Sequence, residues 1–163
     1  MEELACLLGR ERLLLERLLF KLVELRALLI AGEARFLPWA AGEVDHATAR
    51  LREAELHRAL MVNKLASAAG MDDDALSLRM LARTTPEPYA AIFAEQRRGF
   101  RTLTIELREC VASCAAIAGD GADFVTEVLD RVIVEADVAM QRSTAGRSTA
   151  GRSSREEPLV VKF

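Results

Sequence analysis

The sequence predicts an all-α fold: an elongated antiparallel helical bundle or coiled-coil hairpin, with two long helices and shorter connecting helices. Three observations carry this reading. Apolar residues recur every three or four positions at Leu4, Leu8, Leu15, Leu18, Leu22, Leu25 and Leu29, with Glu11 breaking the series. A second seam runs Tyr89, Phe93, Phe100, Leu103, Leu107, Cys110, Cys114 and Ile117, interrupted by Gln96. Both follow the 3.6-residue period of an amphipathic helix. Residues 1–140 are also dominated by Ala, Leu, Glu and Arg, and lack both period-two alternation and Asn-Gly or Asp-Gly turns between apolar runs.

The first helix is expected from about Glu3 to Phe36, a rod of roughly 50 Å at 1.5 Å per residue. Leu37-Pro38-Trp39 ends or kinks it, because proline removes a backbone donor and disfavours α conformation in the residue before it. A break is therefore placed between Gly32 and Gly42. The second helix runs from about Glu43 to Ala69, with a seam of Ala47, Leu51, Ala54, Met61, Leu65 and Ala68. Arg58 falls in that seam, Leu56 and Leu60 widen the apolar face, and Gly70 suits a C-cap.

Asp72, Asp73 and Asp74 offer an N-cap for a short helix to about Arg83 that carries Leu76, Leu78, Met80 and Leu81. Thr84-Thr85-Pro86-Glu87-Pro88 is the next turn, and the second long helix follows from about Pro88 to Ala118. Two glycines within Gly119-Asp120-Gly121 favour a break, since each costs about 1 kcal/mol in a helix interior. The last helix, Ala122 to Met140, is apolar over more than one stripe at Phe124, Val125, Val128, Leu129, Val132, Ile133 and Val134. Some other surface is expected to cover that excess.

Three segments follow: a helical domain over 1–140, a linker over 141–157, and a short apolar end over 158–163. The linker repeats Arg-Ser-Thr-Ala-Gly at 142–146 and 147–151. Such small and polar units bury too little apolar surface to offset their ordering entropy, so disorder is expected. Pro158-Leu-Val-Val-Lys-Phe163 is β-prone and suits strand addition to a partner or docking on the bundle.

Charge excludes one class of partner. Residues 1–140 hold 17 Lys and Arg against 23 Asp and Glu, whereas residues 141–163 hold five against two. An acidic body with a thin basic tail lacks the clustered basic face that neutralises phosphates, so nucleic acid is not the expected partner. The three cysteines, an odd number without a dense framework, favour reduced thiols and a cytoplasmic setting. Met1-Glu2-Glu3 lacks the basic start of a signal peptide, and no run of about 20 apolar residues predicts a membrane span.

Few residues suggest chemistry. Cys110 and Cys114, i and i+4, have a spacing that suits two metal ligands or an oxidant sensor with Cys6, but both lie on the apolar seam, where packing is the stronger reading. Glu43-Val44-Asp45-His46 matches the Glu-x-x-His element of carboxylate di-iron bundles, yet it occurs once, and Glu53 and His57 are four apart, so a solvated face is preferred. Trp39 and Tyr89 adjoin proline turns and are read as packing at bundle ends, although either type suits an interaction hot spot. No nucleophile arrangement, phosphate loop or dinucleotide motif is present. The chain is read as non-enzymatic and without a cofactor.

In order and spacing, several pieces over about residues 13–138 resemble the FlgN-like flagellar export chaperones. These are the leucine-rich first helix leading into Leu28-Leu29-Ile30-Ala-Gly-Glu33, the charged second helix ending Leu65-Ala-Ser-Ala-Ala-Gly70, and Asp74-Ala-Leu-Ser-Leu-Arg-Met-Leu81. The turn Pro86-Glu-Pro-Tyr89 and the segment Phe100-Arg-Thr-Leu103-Thr-Ile-Glu106-Leu-Arg complete the series. The chain departs from the family pattern at Cys114-Ala-Ala-Ile117, where an asparagine and paired leucines are common, and in its five-residue repeats.

The resemblance implies a cytoplasmic type III secretion chaperone that binds hook–filament junction subunits, prevents premature assembly and delivers them to the export apparatus. The apolar excess then places client anchors at Phe124, Val125, Val128, Leu129, Val132 and Ile133, with Leu159, Val160 and Val161 as auxiliaries. The alternative is a self-associating structural coiled coil without a client, and a homodimer is compatible with either.

Overall fold

The computed structural model describes residues 1–70, 76–119 and 123–144, and in the last helix the side chains of 125–135 and 137. Among these residues there are α-helices and no strands. α1 spans Glu2–Ala31, a 3-10 turn Ala34–Phe36, α2 Leu37–Ala69, α3 Leu78–Thr84, α4 Tyr89–Ala118 and α5 Asp123–Thr144. The all-α bundle is as expected, but three helices are long: α2, at 33 residues, exceeds α1 and α4, at 30 each.

The first break lies earlier than Pro38 suggests. Gly32 adopts φ 67°, ψ 21°, and closes α1 with backbone bonds to Leu28 and Leu29. A side chain resists that left-handed conformation, and glycine does not. Pro38 sits in the first turn of α2, where its missing N–H would have had no helical partner. The chain therefore reverses between Ala31 and Leu37, and α2 begins six residues before the expected Glu43.

α3 is also shorter than expected. It begins at Leu78, and its cap is Ser77, whose Oγ accepts from the Met80 N–H at 3.2 Å. The proposed Asp72–Asp74 cap lies outside the described residues. α5 continues to Thr144, past Met140 and into the first repeat unit. The remaining repeats and 158–163 lie outside the described residues.

Packing is cyclic: α1 lies against α2 and α4, and α5 against α4 and α2. α1 is thus diagonal to α5, and α2 to α4. Ion pairs give the directions. Lys21 and Glu11 of α1 meet Glu43 and Arg58 of α2, so these helices run antiparallel. Arg12 meets Glu95, and Cys114 Sγ lies 3.8 Å from the Leu22 carbonyl, so α1 and α4 run parallel. Asp45 and Arg52 of α2 meet Arg131 and Glu135 of α5, so these two also run parallel. The segment holding α3 carries the chain from one diagonal corner to the other, and α3 packs on α4 and touches α5.

One core joins all five helices. The α1 leucines from Leu4 to Leu25, Val44 and Leu51 of α2, Leu81 of α3, and Phe93, Phe100 and Leu107 of α4 are buried in it. Full burial of a leucine contributes roughly 1.5–3 kcal/mol, so these seams dominate the stability. Leu56 and Leu60, expected to widen the buried face of α2, are exposed, and Ala66 is buried in place of Ala68. Ile117 likewise lies on the surface. Trp39, expected at a packed end, is 73 % exposed and touches Phe36 at a ring separation of 5.8 Å.

Candidate functional site

α5 is the element on which the sequence places the client anchors. Its buried residues Val125, Val128, Leu129 and Val132 stand at i, i+3, i+4 and i+7 and join the common core. That spacing makes one helical stripe, and four packed apolar side chains fix its rotation. The cover expected for the apolar excess is therefore the bundle itself. Ile133 is different: at 39 % exposed, it lies beside the stripe with Val134 on the outer surface. The Phe124 side chain and Leu159, Val160 and Val161 lie outside the described residues.

Charges border the stripe on both sides. Toward α2, Arg131 meets Asp45 at 3.2 Å, and the Arg52 guanidinium donates to Glu135. Toward α4, Arg108 donates to Asp137. The remaining seams have their own pairs, Glu11–Arg58 and Lys21–Glu43 between α1 and α2, and Arg12–Glu95 between α1 and α4. Exposed pairs contribute about 0–1 kcal/mol each, so most of these set register and neighbour choice more than stability. The groove between α2 and α4 is thus matched to α5 by an apolar floor and charged rims.

A second cluster lies within the core. The residues that interrupt the two apolar seams of the long helices, Glu11 and Gln96, are both buried, and so is Glu55. Glu11 Oε2 accepts from Arg58 Nε at 2.6 Å. Gln96 packs beside Gly9 of α1, close to that pair along the helix, and its Oε1 is buried without a hydrogen bond among the described residues. This polar layer spans α1, α2 and α4.

The cysteines divide by position. Cys110 and Cys114 are buried on the α4 seam, and Cys6 is exposed. Burial pushes the Cys114 thiol up to about 12, with Cys110 beside it adding to the rise, and burial also raises Cys110. Thiols held protonated are poor nucleophiles and poor metal ligands. Glu43 pairs with Lys21 and Asp45 with Arg131, while His46, Glu53 and His57 are exposed on α2. No group of three or more His, Cys, Asp or Glu side chains converges among the described residues. No described helix is long and apolar enough to cross a membrane.

The seam charges were missed by sequence reading, because periodicity identifies a face but not the helix it meets. Comparison of the chain with protein-family models, curated proteins and solved structures finds no match.

Proposed function

We propose that the chain is a cytoplasmic type III flagellar export chaperone that holds hook–filament junction subunits, keeps them from assembling early and passes them to the export apparatus. The observation that carries this reading is the state of α5. Its stripe of Val125, Val128, Leu129 and Val132 has the spacing by which an amphipathic helix engages a groove, and the bundle occupies it. A client helix with the same apolar spacing competes with α2 and α4 for that stripe. On this reading α5 opens away from α4 beyond Gly119, which ends α4 at φ 54° and ψ −159°.

On this reading Val125, Val128, Leu129 and Val132 are client anchors that become available when α5 opens, Ile133 is already at the surface, and Phe124 with Leu159–Val161 extends the contact. The reading requires no catalysis and no cofactor. The order of sequence pieces over residues 13–138 supports the choice of client class.

The test is co-expression with a tagged hook–filament junction subunit, followed by light scattering of the purified complex. The expected result is a defined complex that is lost in the Val128→Asp/Val132→Asp double variant while circular dichroism still shows a predominantly helical chain that unfolds cooperatively. Retention of the complex in that folded variant places the client elsewhere.

A further inference from the structure

α1 carries two seams, and the bundle uses one. Opposite the buried leucines, Leu13, Glu16, Phe20, Val23, Ala27 and Ile30 recur at intervals of three and four, the a/d spacing of a coiled coil. All six are exposed, Leu13 at 64 %, Phe20 at 56 % and Ile30 at 68 %. Scattered surface apolar residues need no explanation, whereas a heptad stripe over about 26 Å of one helix is an organised face.

We propose that this outer seam pairs antiparallel with the same seam of a second copy of the chain, about a two-fold axis between Phe20 and Val23. Size and charge select this occupant and this direction. Antiparallel pairing faces Leu13 with Ile30, Glu16 with Ala27, and Phe20 with Val23, each contact occurring twice by symmetry. The one polar member of the seam meets its smallest, and the largest meets a β-branched residue. Glu16 keeps its intrachain partner Arg12, at 3.7 Å, while facing that alanine. Along one edge, Arg17 of each chain meets Glu24 of the other, both exposed. A parallel in-register pair instead stacks Glu16 on Glu16 and Phe20 on Phe20, and sets Arg12 against Arg17, a like-charge contact.

The surface is independent of the client stripe, since it lies on the solvent side of α1 and α5 is diagonal to α1 across the core. Six layers of one helix pair make an interface at the low end of specific association, so the dimer is concentration-dependent.

Sedimentation equilibrium of the full chain is expected to give a monomer–dimer equilibrium. Phe20→Asp weakens it by more than about tenfold, as loss of a central apolar anchor does, with the helical spectrum unchanged because Phe20 is outside the core. Arg17→Glu alone and Glu24→Arg alone each weaken the dimer. An equimolar mixture of those two variants restores it, because every edge contact in the mixed dimer is again between opposite charges. Cys6 gives the direction: it continues the outer seam, so a parallel pair brings two Cys6 thiols together and crosslinks under mild oxidation. A monomer at all accessible concentrations, a Cys6–Cys6 disulfide in the wild-type dimer, tightening by Arg17→Glu, or a dimer indifferent to Phe20→Asp each overturns the proposal.

Discussion

Glu11 of α1 accepts a hydrogen bond from the Arg58 guanidinium of α2 at 2.6 Å, with Glu11 only 2 % exposed. Each residue interrupts an otherwise apolar helical face, and the two interruptions meet. A buried ion pair is a weak source of net stability, because desolvation offsets its attraction. Its broken form is costly. Glu11→Ala is expected to lose about 3 kcal/mol in urea unfolding by leaving the guanidinium without its carboxylate, whereas Glu11→Leu/Arg58→Met is expected to recover most of that loss. Equal destabilisation by the single and double changes would contradict the pair's role.

Two glycines in adjoining segments separate backbone requirement from empty space. Gly32 holds φ +67°, while Gly42 is inside α2, without positive φ, and an added Cβ there meets nothing within 4 Å. Gly42→Ala should therefore stabilise the fold by about 0.5–1 kcal/mol through helix propensity and the unfolded chain. Gly32→Ala should destabilise it by a similar or larger amount, since alanine is strained in that conformation. Thermal melts of the two variants should move in opposite directions.

The thiols provide a pH test. Burial raises Cys110 and holds Cys114 up to about 12, above the ordinary thiol value near 9. Between those values the folded chain retains a proton that the unfolded chain releases, so this contribution is full below about pH 9 and falls as pH rises toward 12. Replacing both residues with Ala should flatten the alkaline limb of stability against pH, at the cost of some packing. Iodoacetamide at pH 8 should label Cys6 alone in the native chain and all three cysteines in denaturant, as mass spectrometry would read directly.

The fold class and the positions of the long helices were legible because the first and fourth helices contain long seams with a fixed 3.6-residue period. Leu4 to Leu25 and Phe93 to Cys114 fall in the core as that period requires. The first break falls in the expected Gly32–Gly42 interval, but the helix ends beside it were set late, because proline is read as a breaker, whereas at the first turn of a helix its missing donor costs nothing. Leu56 and Leu60 misled for another reason. Hydrophobicity alone does not say which side of a helix meets its neighbours, and on α2 the neighbouring helices left these two outside. The candidate anchors were legible as an apolar stripe on α5, but the partner already holding that stripe, α2 with α4, depends on packing between distant segments.

Among the four longest helices, α5 is the one expected to detach first. It is shorter than α1, α2 and α4, it sits diagonal to α1, and it is bordered by ion pairs with substantial exposure on at least one partner. A peripheral helix bordered by exposed polar contacts can open at a free energy below global unfolding. Native-state hydrogen exchange should therefore show α5 amides exchanging before those of α1 and α4. Val132→Ala, which removes methyl groups from a fully buried side chain, is expected to lower the α5 opening energy by roughly 1–3 kcal/mol while leaving the slowest α1 amides closer to their wild-type rates. Uniform acceleration of every helix would mean that the five helices unfold as one unit, and would remove the opening step that makes the α5 stripe available to a client.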